Sequence, residues 1–203
     1  MAFSRSTFVK LAGAFAGSLV LAIGDQGDDA AASTVDPGAP GGFSPNVWLR
    51  IDPDDTVTVT INKSEMGQGV ATGLPTLVAE ELDVPFARVR VTFADAAQRY
   101  VYAGGAAMST GGSTSMRDSW LPLRHAGASA RAMLISAAAK QWHVDPTRLT
   151  TTDGVVIDAA GNQRATYGSL VAAAAALPVP EHVPLKDPQR FRLIGNASTL
   201  RPD

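Results

Sequence analysis

Polar and apolar residues alternate one for one along Thr56-Val57-Thr58-Val59-Thr60-Ile61, which puts both valines and Ile61 on one buried face of a strand. A second strand-like run covers residues 46–52. The tetrapeptide Asp52-Pro53-Asp54-Asp55 between the two runs is rich in turn formers, so a hairpin is expected. Beyond Gly67-Gln68-Gly69 the period changes. Leu74, Leu77, Val78 and Leu82 recur at helical spacing over residues 70–82, where Pro75 is tolerable only near the start. Residues 89–93 read as a short strand and residues 95–108 as a loop. Trp120, Leu123, Gly127, Ala130, Leu134 and Ala137 mark one face of a long helix over about residues 113–142, kinked or begun at Pro122. Asp145-Pro146 suggests a further helical turn. Residues 150–167 suggest a small hairpin through Ala160-Gly161-Asn162, and residues 168–176 a short Ala-rich helix. The pattern predicts an α+β fold, a small mixed or antiparallel sheet packed by one long and one shorter helix.

The two ends of the chain read differently from this middle. Arg5 and Lys10 precede an uncharged stretch, residues 11–24, closed by Asp25, Asp28 and Asp29 and by the small residues Ala30-Ala31-Ala32-Ser33. That is the layout of an export signal, and the stretch is short for a bilayer span. Ser4-Arg5-Ser6-Thr7-Phe8-Val9-Lys10 is similar to a twin-arginine signal with Ser6 in place of the second arginine. Both that route and an ordinary signal or uncleaved membrane anchor stay open. The expected organisation is a signal over 1–32, a Pro/Gly linker over 33–44, a folded unit over 45–176, and an extended Pro-rich surface tail over 177–203 that runs out without a terminating element.

Composition narrows the chemistry. The 203 residues are 45% hydrophobic, enough for a packed core, and the formal charge of −2 gives no basis for a nucleic-acid partner. The absence of cysteine excludes disulfides, thiolate metal sites and a cysteine nucleophile. His125, His143 and His182 are scattered and form no ligand spacing.

Two places combine glycine with polar side chains just before a helix. One is Glu65-Met66-Gly67-Gln68-Gly69; the other is Thr110-Gly111-Gly112-Ser113-Thr114-Ser115. Glycine lets the backbone approach a ligand, and the first amides of a helix lack internal partners, so each is a candidate seat for phosphate or another anion. Gln68 adds an amide that both donates and accepts, suited to a heterocycle edge. Each turn taken singly also reads as a plain tight turn or helix cap. Neither is a P-loop or a G-x-G-x-x-G fingerprint. Glu65 reads as a strand end or cap rather than a catalytic base, Glu80, Glu81 and Asp83 as a solvated patch, and His125 and His143 as structural or exposed. Tyr100 and Tyr102 are candidates for the lining of a cleft.

Taken in order, residues 43–195 resemble the molybdenum-binding subunits of the xanthine dehydrogenase and aldehyde oxidase family, in the branch of isoquinoline 1-oxidoreductase. The resemblance is carried by Glu65-Met66-Gly67-Gln68-Gly69, by Ala79-Glu80-Glu81-Leu82-Asp83-Val84, by the glycine–serine run, by the W-x-P-L-R element at Trp120 and Arg124, by the Pro-rich stretch with Lys186-Asp187-Pro188, and by Phe191-Arg192-Leu193-Ile194-Gly195. It implies that Gly67, Gln68 and Gly69 meet a molybdopterin, and that Gly111, Gly112, Ser113, Thr114 and Ser115 hold its phosphates, the cofactor being molybdopterin cytosine dinucleotide. Arg117 reads as a solvated helix residue, with pairing to a phosphate as the alternative.

The resemblance further implies oxidative hydroxylation of an aldehyde or N-heterocycle with water as oxygen source, electrons leaving through a small partner subunit with two iron–sulfur clusters. Family members are several times longer and carry their catalytic glutamate near the far C-terminus. The expected role is therefore the N-terminal, cofactor-binding portion of a molybdenum hydroxylase, exported to the periplasm or its membrane face, joined to the remainder of the large subunit and inactive alone. The alternative is a split or truncated product acting as a binding or assembly module, or a non-functional remnant.

Overall fold

The computed structural model describes residues 42–102, 105 and 107–196. The signal expected over 1–32 lies outside the described residues. Four strands form one sheet in the order β1 (Phe43–Asn46), β2 (Leu49–Ile51), β3 (Val57–Ile61) and β4 (Val89–Phe93). The first three pair antiparallel, with Leu49 opposite Val59 and Ile51 opposite Val57. β3 and β4 pair parallel from Val57–Val89 to Ile61–Phe93, so the sheet is mixed. A parallel pair needs a crossover, and α1 (Val70–Leu82) supplies it.

The run over residues 46–52 is not one strand. It is the end of β1, a two-residue turn at Val47 and Trp48, and β2. Phe43 and Ser44, which composition assigns to the linker, open β1 and are buried. The alternation in β3 stands as read: Val57, Val59 and Ile61 are buried and the threonines between them are not.

α2 (Ser115–Trp142) continues through Pro122 and packs chiefly against α1. Leu123, Ala130, Leu134 and Ala137 are buried along its inner face. At Gly127 the helices approach so closely that an added Cβ would lie 2.7 Å from the Val78 carbonyl oxygen and 3.0 Å from the Glu81 Cβ. A second sheet has β5 (Thr150–Thr152), β6 (Val155–Asp158) and β7 (Gln163–Thr166) in antiparallel order, followed by α3 (Tyr167–Ala175). The expected single hairpin is thus a three-stranded meander, because Asp153 and Gly154 both take positive φ and turn the chain once more. The buried Tyr167 hydroxyl donates to the Leu82 carbonyl at 2.7 Å, tying the start of α3 to the end of α1.

Two expectations are corrected here. Glu80 and Glu81 are 1% and 0% exposed, not a solvated patch. The segment after Leu177 is extended, yet part of it is buried against them. Lys186 reaches the Glu80 carboxylate at 2.8 Å and Asp83 at 2.7 Å. Its own amide donates to Glu81 Oε2 at 2.9 Å. Arg124 donates to Glu81 Oε1 at 2.7 Å and to the Lys186 carbonyl at 2.6 Å. Glu80 Oε2 accepts from the amides of Arg192, Leu193 and Ile194 at 2.7 to 3.1 Å. A buried carboxylate is tolerated only when its lone pairs are filled in this way. The reason the periodicity misleads is that both acids lie where α1 meets α2 and the returning tail, so all sides of that helical turn are covered.

Candidate functional site

The first glycine turn joins β3 to α1. Its backbone is shaped by Gly67 at φ 97° and Gly69 at φ 80°, conformations that an L side chain rarely takes. The Glu65 carboxylate folds back over it. Oε1 accepts from the amides of Gly67 at 2.8 Å and Gly69 at 3.0 Å, and Oε2 from Ala71 at 2.8 Å. These amides, Ala71 foremost and then Gly69, hold the Glu65 carboxyl below the usual carboxylate range. Glu65 is a cap, as its sequence position suggests. Gln68 closes the turn further: its Oε1 accepts from the Met66 amide at 2.7 Å, and its Nε2 donates to the Ser64 carbonyl at 2.8 Å.

The second turn precedes α2 and is built differently. Gly112 and Ser113 take positive φ, and the Thr114 hydroxyl donates back to the Gly111 carbonyl at 3.2 Å. The Thr114 side chain makes no cap bond to the first turn of α2. Among the described residues, the amides of Ser115, Met116 and Arg117 have no acceptor. Gly111, Gly112 and Ser113 are exposed, and Thr114 and Ser115 half-buried.

The fold brings the two turns together. The Ser64 amide donates to Thr110 Oγ1 at 2.8 Å, and Lys63 Nζ donates to the Ser109 carbonyl at 2.8 Å. The start of α1 also meets the start of α2, where Gly73 leaves room for the Met116 side chain. Between the turns lies an open cavity of about 300 Å³ lined by Asn62, Ser64, Met66, Met108, Ser109 and Thr110. Asn62 is buried and gives its Nδ2 to the Tyr100 carbonyl at 2.6 Å, while its buried Oδ1 finds no donor among the described residues. Lys63 and Asn62 went unnoticed in the sequence. The available signal is two polar residues directly after an alternating strand and just before a glycine turn.

Tyr102 is half-buried beside this site, its hydroxyl donating to Ser119 at 2.8 Å and its ring 5.0 Å from Trp48; burial pushes the phenol up to about 12. Tyr100 is buried against Trp48 with centroids 5.6 Å apart. Arg117 is exposed and pairs with its neighbour Asp118 at 3.1 Å, as a solvated helix residue does. His125, His143 and His182 are exposed and apart from the turns.

A model of the molybdopterin cofactor-binding domain matches residues 29–199, and the chain belongs to that family. It is 42% identical over 144 residues to isoquinoline 1-oxidoreductase subunit beta of Brevundimonas diminuta, covering 70% of this chain and 18% of that protein. It is 33% identical over 162 residues to the membrane-bound aldehyde dehydrogenase [pyrroloquinoline-quinone] of Gluconacetobacter polyoxogenes, covering 77% and 20%. The chain thus spans about a fifth of the length of these relatives. Quinoline 2-oxidoreductase from Pseudomonas putida 86 aligns with a TM-score of 0.46 at 24% identity, over 62% of this chain and 15% of that one.

The residues present suit a molybdopterin cofactor. A Cβ added at Gly67, Gly69 or Gly111 would meet nothing within 4 Å, so the backbone there is open to an outside group. The uncapped amides and hydroxyls of the second turn are donors of the kind that phosphates take. The unpartnered Asn62 Oδ1 beside them is an acceptor for an N–H.

Proposed function

We propose that this chain forms one wall of the cofactor site of a molybdenum hydroxylase, as the N-terminal part of its large subunit. The observation that carries the reading is the joining of the two glycine turns, through Ser64–Thr110 and Lys63–Ser109, at the paired starts of α1 and α2. In this reading residues 111–115 bind the phosphates of molybdopterin cytosine dinucleotide, and Gly67, Gln68 and Gly69 face its pterin. The cofactor supplies two-electron redox chemistry at molybdenum. This chain's residues bind and orient it; the base comes from elsewhere in the large subunit. The complete enzyme hydroxylates an aldehyde or N-heterocycle with oxygen from water and passes electrons to a small two-cluster iron–sulfur subunit. Residues 1–32 direct export, and the chain by itself has no turnover.

The test is titration of the full chain with cytidine 5′-diphosphate, followed at the backbone amides by NMR. Saturable shifts at residues 111–117 are expected, weaker with guanosine 5′-diphosphate. No shift at either turn overturns the reading, and equal binding of both nucleotides overturns the cytosine form. A second reading, a module that docks onto a separately made remainder, is favoured by Met66 and Met116, which flank the turns at 67% and 43% exposure. A monodisperse monomer in light scattering at high concentration counts against it.

A further inference from the structure

The two helix starts at this site are alike in sequence and opposite in state. At α1 the amides of Gly67, Gly69 and Ala71 converge on a single carboxylate supplied by the chain itself, at 2.8, 3.0 and 2.8 Å. At α2 the Thr114 side chain makes no cap bond, and among the described residues no side chain accepts from the first amides, although Asp118 stands in the first turn. A helix start carries partial positive charge and unsatisfied donors, so each attracts one anion. One of these seats is already filled.

We propose that Glu65 is a positioning residue for the cofactor turn: its carboxylate takes the place of a ligand anion at α1, holds Gly67 and Gly69 in shape before any cofactor arrives, and leaves the start of α2, of these two, as the open phosphate seat. The inference rests on the cofactor reading above and adds a division of labour within it. Gln68 takes part in the same prefolding, because its side chain bridges Met66 and Ser64 across the turn. A turn whose two glycines both lie at positive φ has many alternative backbone states, and three bonds to one carboxylate select among them. Since Glu65 lies within six residues of all its partners, the turn is ordered locally and does not wait for the rest of the site.

The experiment uses the full chain and its E65Q and E65A variants, with amide hydrogen exchange and NMR titration by inorganic pyrophosphate. In the unmodified chain the amides of Gly67, Gly69 and Ala71 should be protected, and pyrophosphate should shift residues 115–117 but not 67–71. In E65Q, which retains the shape but not the charge, exchange at those three amides should rise on the order of tenfold or more. In E65A the emptied seat should now take pyrophosphate, with new saturable shifts at residues 67–71 and recovery of their protection. Unchanged exchange in E65Q overturns the proposal, as does an E65A chain whose α2 still responds while residues 67–71 do not. Should E65A lose its fold, E65Q and the unmodified chain decide the matter. If the unmodified chain shows protected amides at 67–71 and no response at 115–117, the phosphate reading of α2 fails while Glu65 keeps its local role.

Discussion

Arg124 on α2 donates through its Nε to Glu81 Oε1 on α1 at 2.7 Å, and both side chains are almost fully withdrawn from water, at 6% and 0% exposure. Glu81 also accepts from the amide of Lys186, whose carbonyl accepts from Arg124. Two helices and the returning tail are thus bound through one pair. The Arg124 guanidinium is further flanked by the rings of Trp120 and Phe191, each 5.1 Å away. These residues come from four of the sequence elements that carry the family resemblance. Their shared role is to fasten the tail beneath the helices whose starts bear the glycine turns.

Breaking this pair from one side should be costly. Glu81→Leu leaves Arg124 buried without its carboxylate, and a loss of about 3–5 kcal/mol is expected. The double change of Glu81 and Arg124 to leucine should recover part of that loss. Urea unfolding of the two single variants and the double variant measures it, and additive losses would show that the two charges do not interact.

Acid should release the tail. Burial works to raise the carboxyls of Glu80 and Asp83, but it is outweighed by Lys186, joined at Glu80 by the amides of Leu193 and Ile194 and at Asp83 by Thr151, so both stay below their ordinary values. A depressed folded pKa means that the stabilisation is fully present above the ordinary values of 4.5 and 3.8 and is lost as pH falls through the depressed ones. Limited pepsin digestion from pH 5 downward should therefore cut within residues 186–196 before the helices are attacked. In Lys186→Met the same cuts should appear at higher pH.

Gly127→Ala should push α1 and α2 apart, because the new methyl meets the Val78 carbonyl oxygen at 2.7 Å, a backbone atom with no rotamer to escape into. Overpacking of this kind costs about 1–3 kcal/mol. Thermal unfolding should show a clear drop, and an unchanged melting temperature would mean that the helices slide freely.

The glycines of the turns should separate into two kinds. Gly69→Ala has space but forces a side chain onto φ 80°, so a loss of about 1–2 kcal/mol is expected with or without cofactor. Gly111→Ala has neither a positive φ nor a neighbour within 4 Å, so stability should be unchanged. Weaker binding of cytidine 5′-diphosphate in Gly111→Ala would then report ligand approach alone.

Much of this was legible in residue order because it is local. Alternation in residues 56–61 is the pleat of β3, and the 3.6-residue spacing from Leu74 to Leu82 and from Leu123 to Ala137 is the buried stripe of each helix. The glycine turns were visible for the same reason, as was the cap made by Glu65, since all its partners lie within six residues. Only folding could decide that the sheet is mixed, because β3 finds its parallel neighbour across the 27 residues of turn, helix and loop at 62–88. It also decided that Ser64 meets Thr110, and that Glu80 and Glu81, polar residues on an apparently open helical turn, lie buried under Lys186 more than 100 positions away. Periodicity records which face of an element is apolar. It carries no record of which distant charge will cover a polar one, since that depends on where the chain returns.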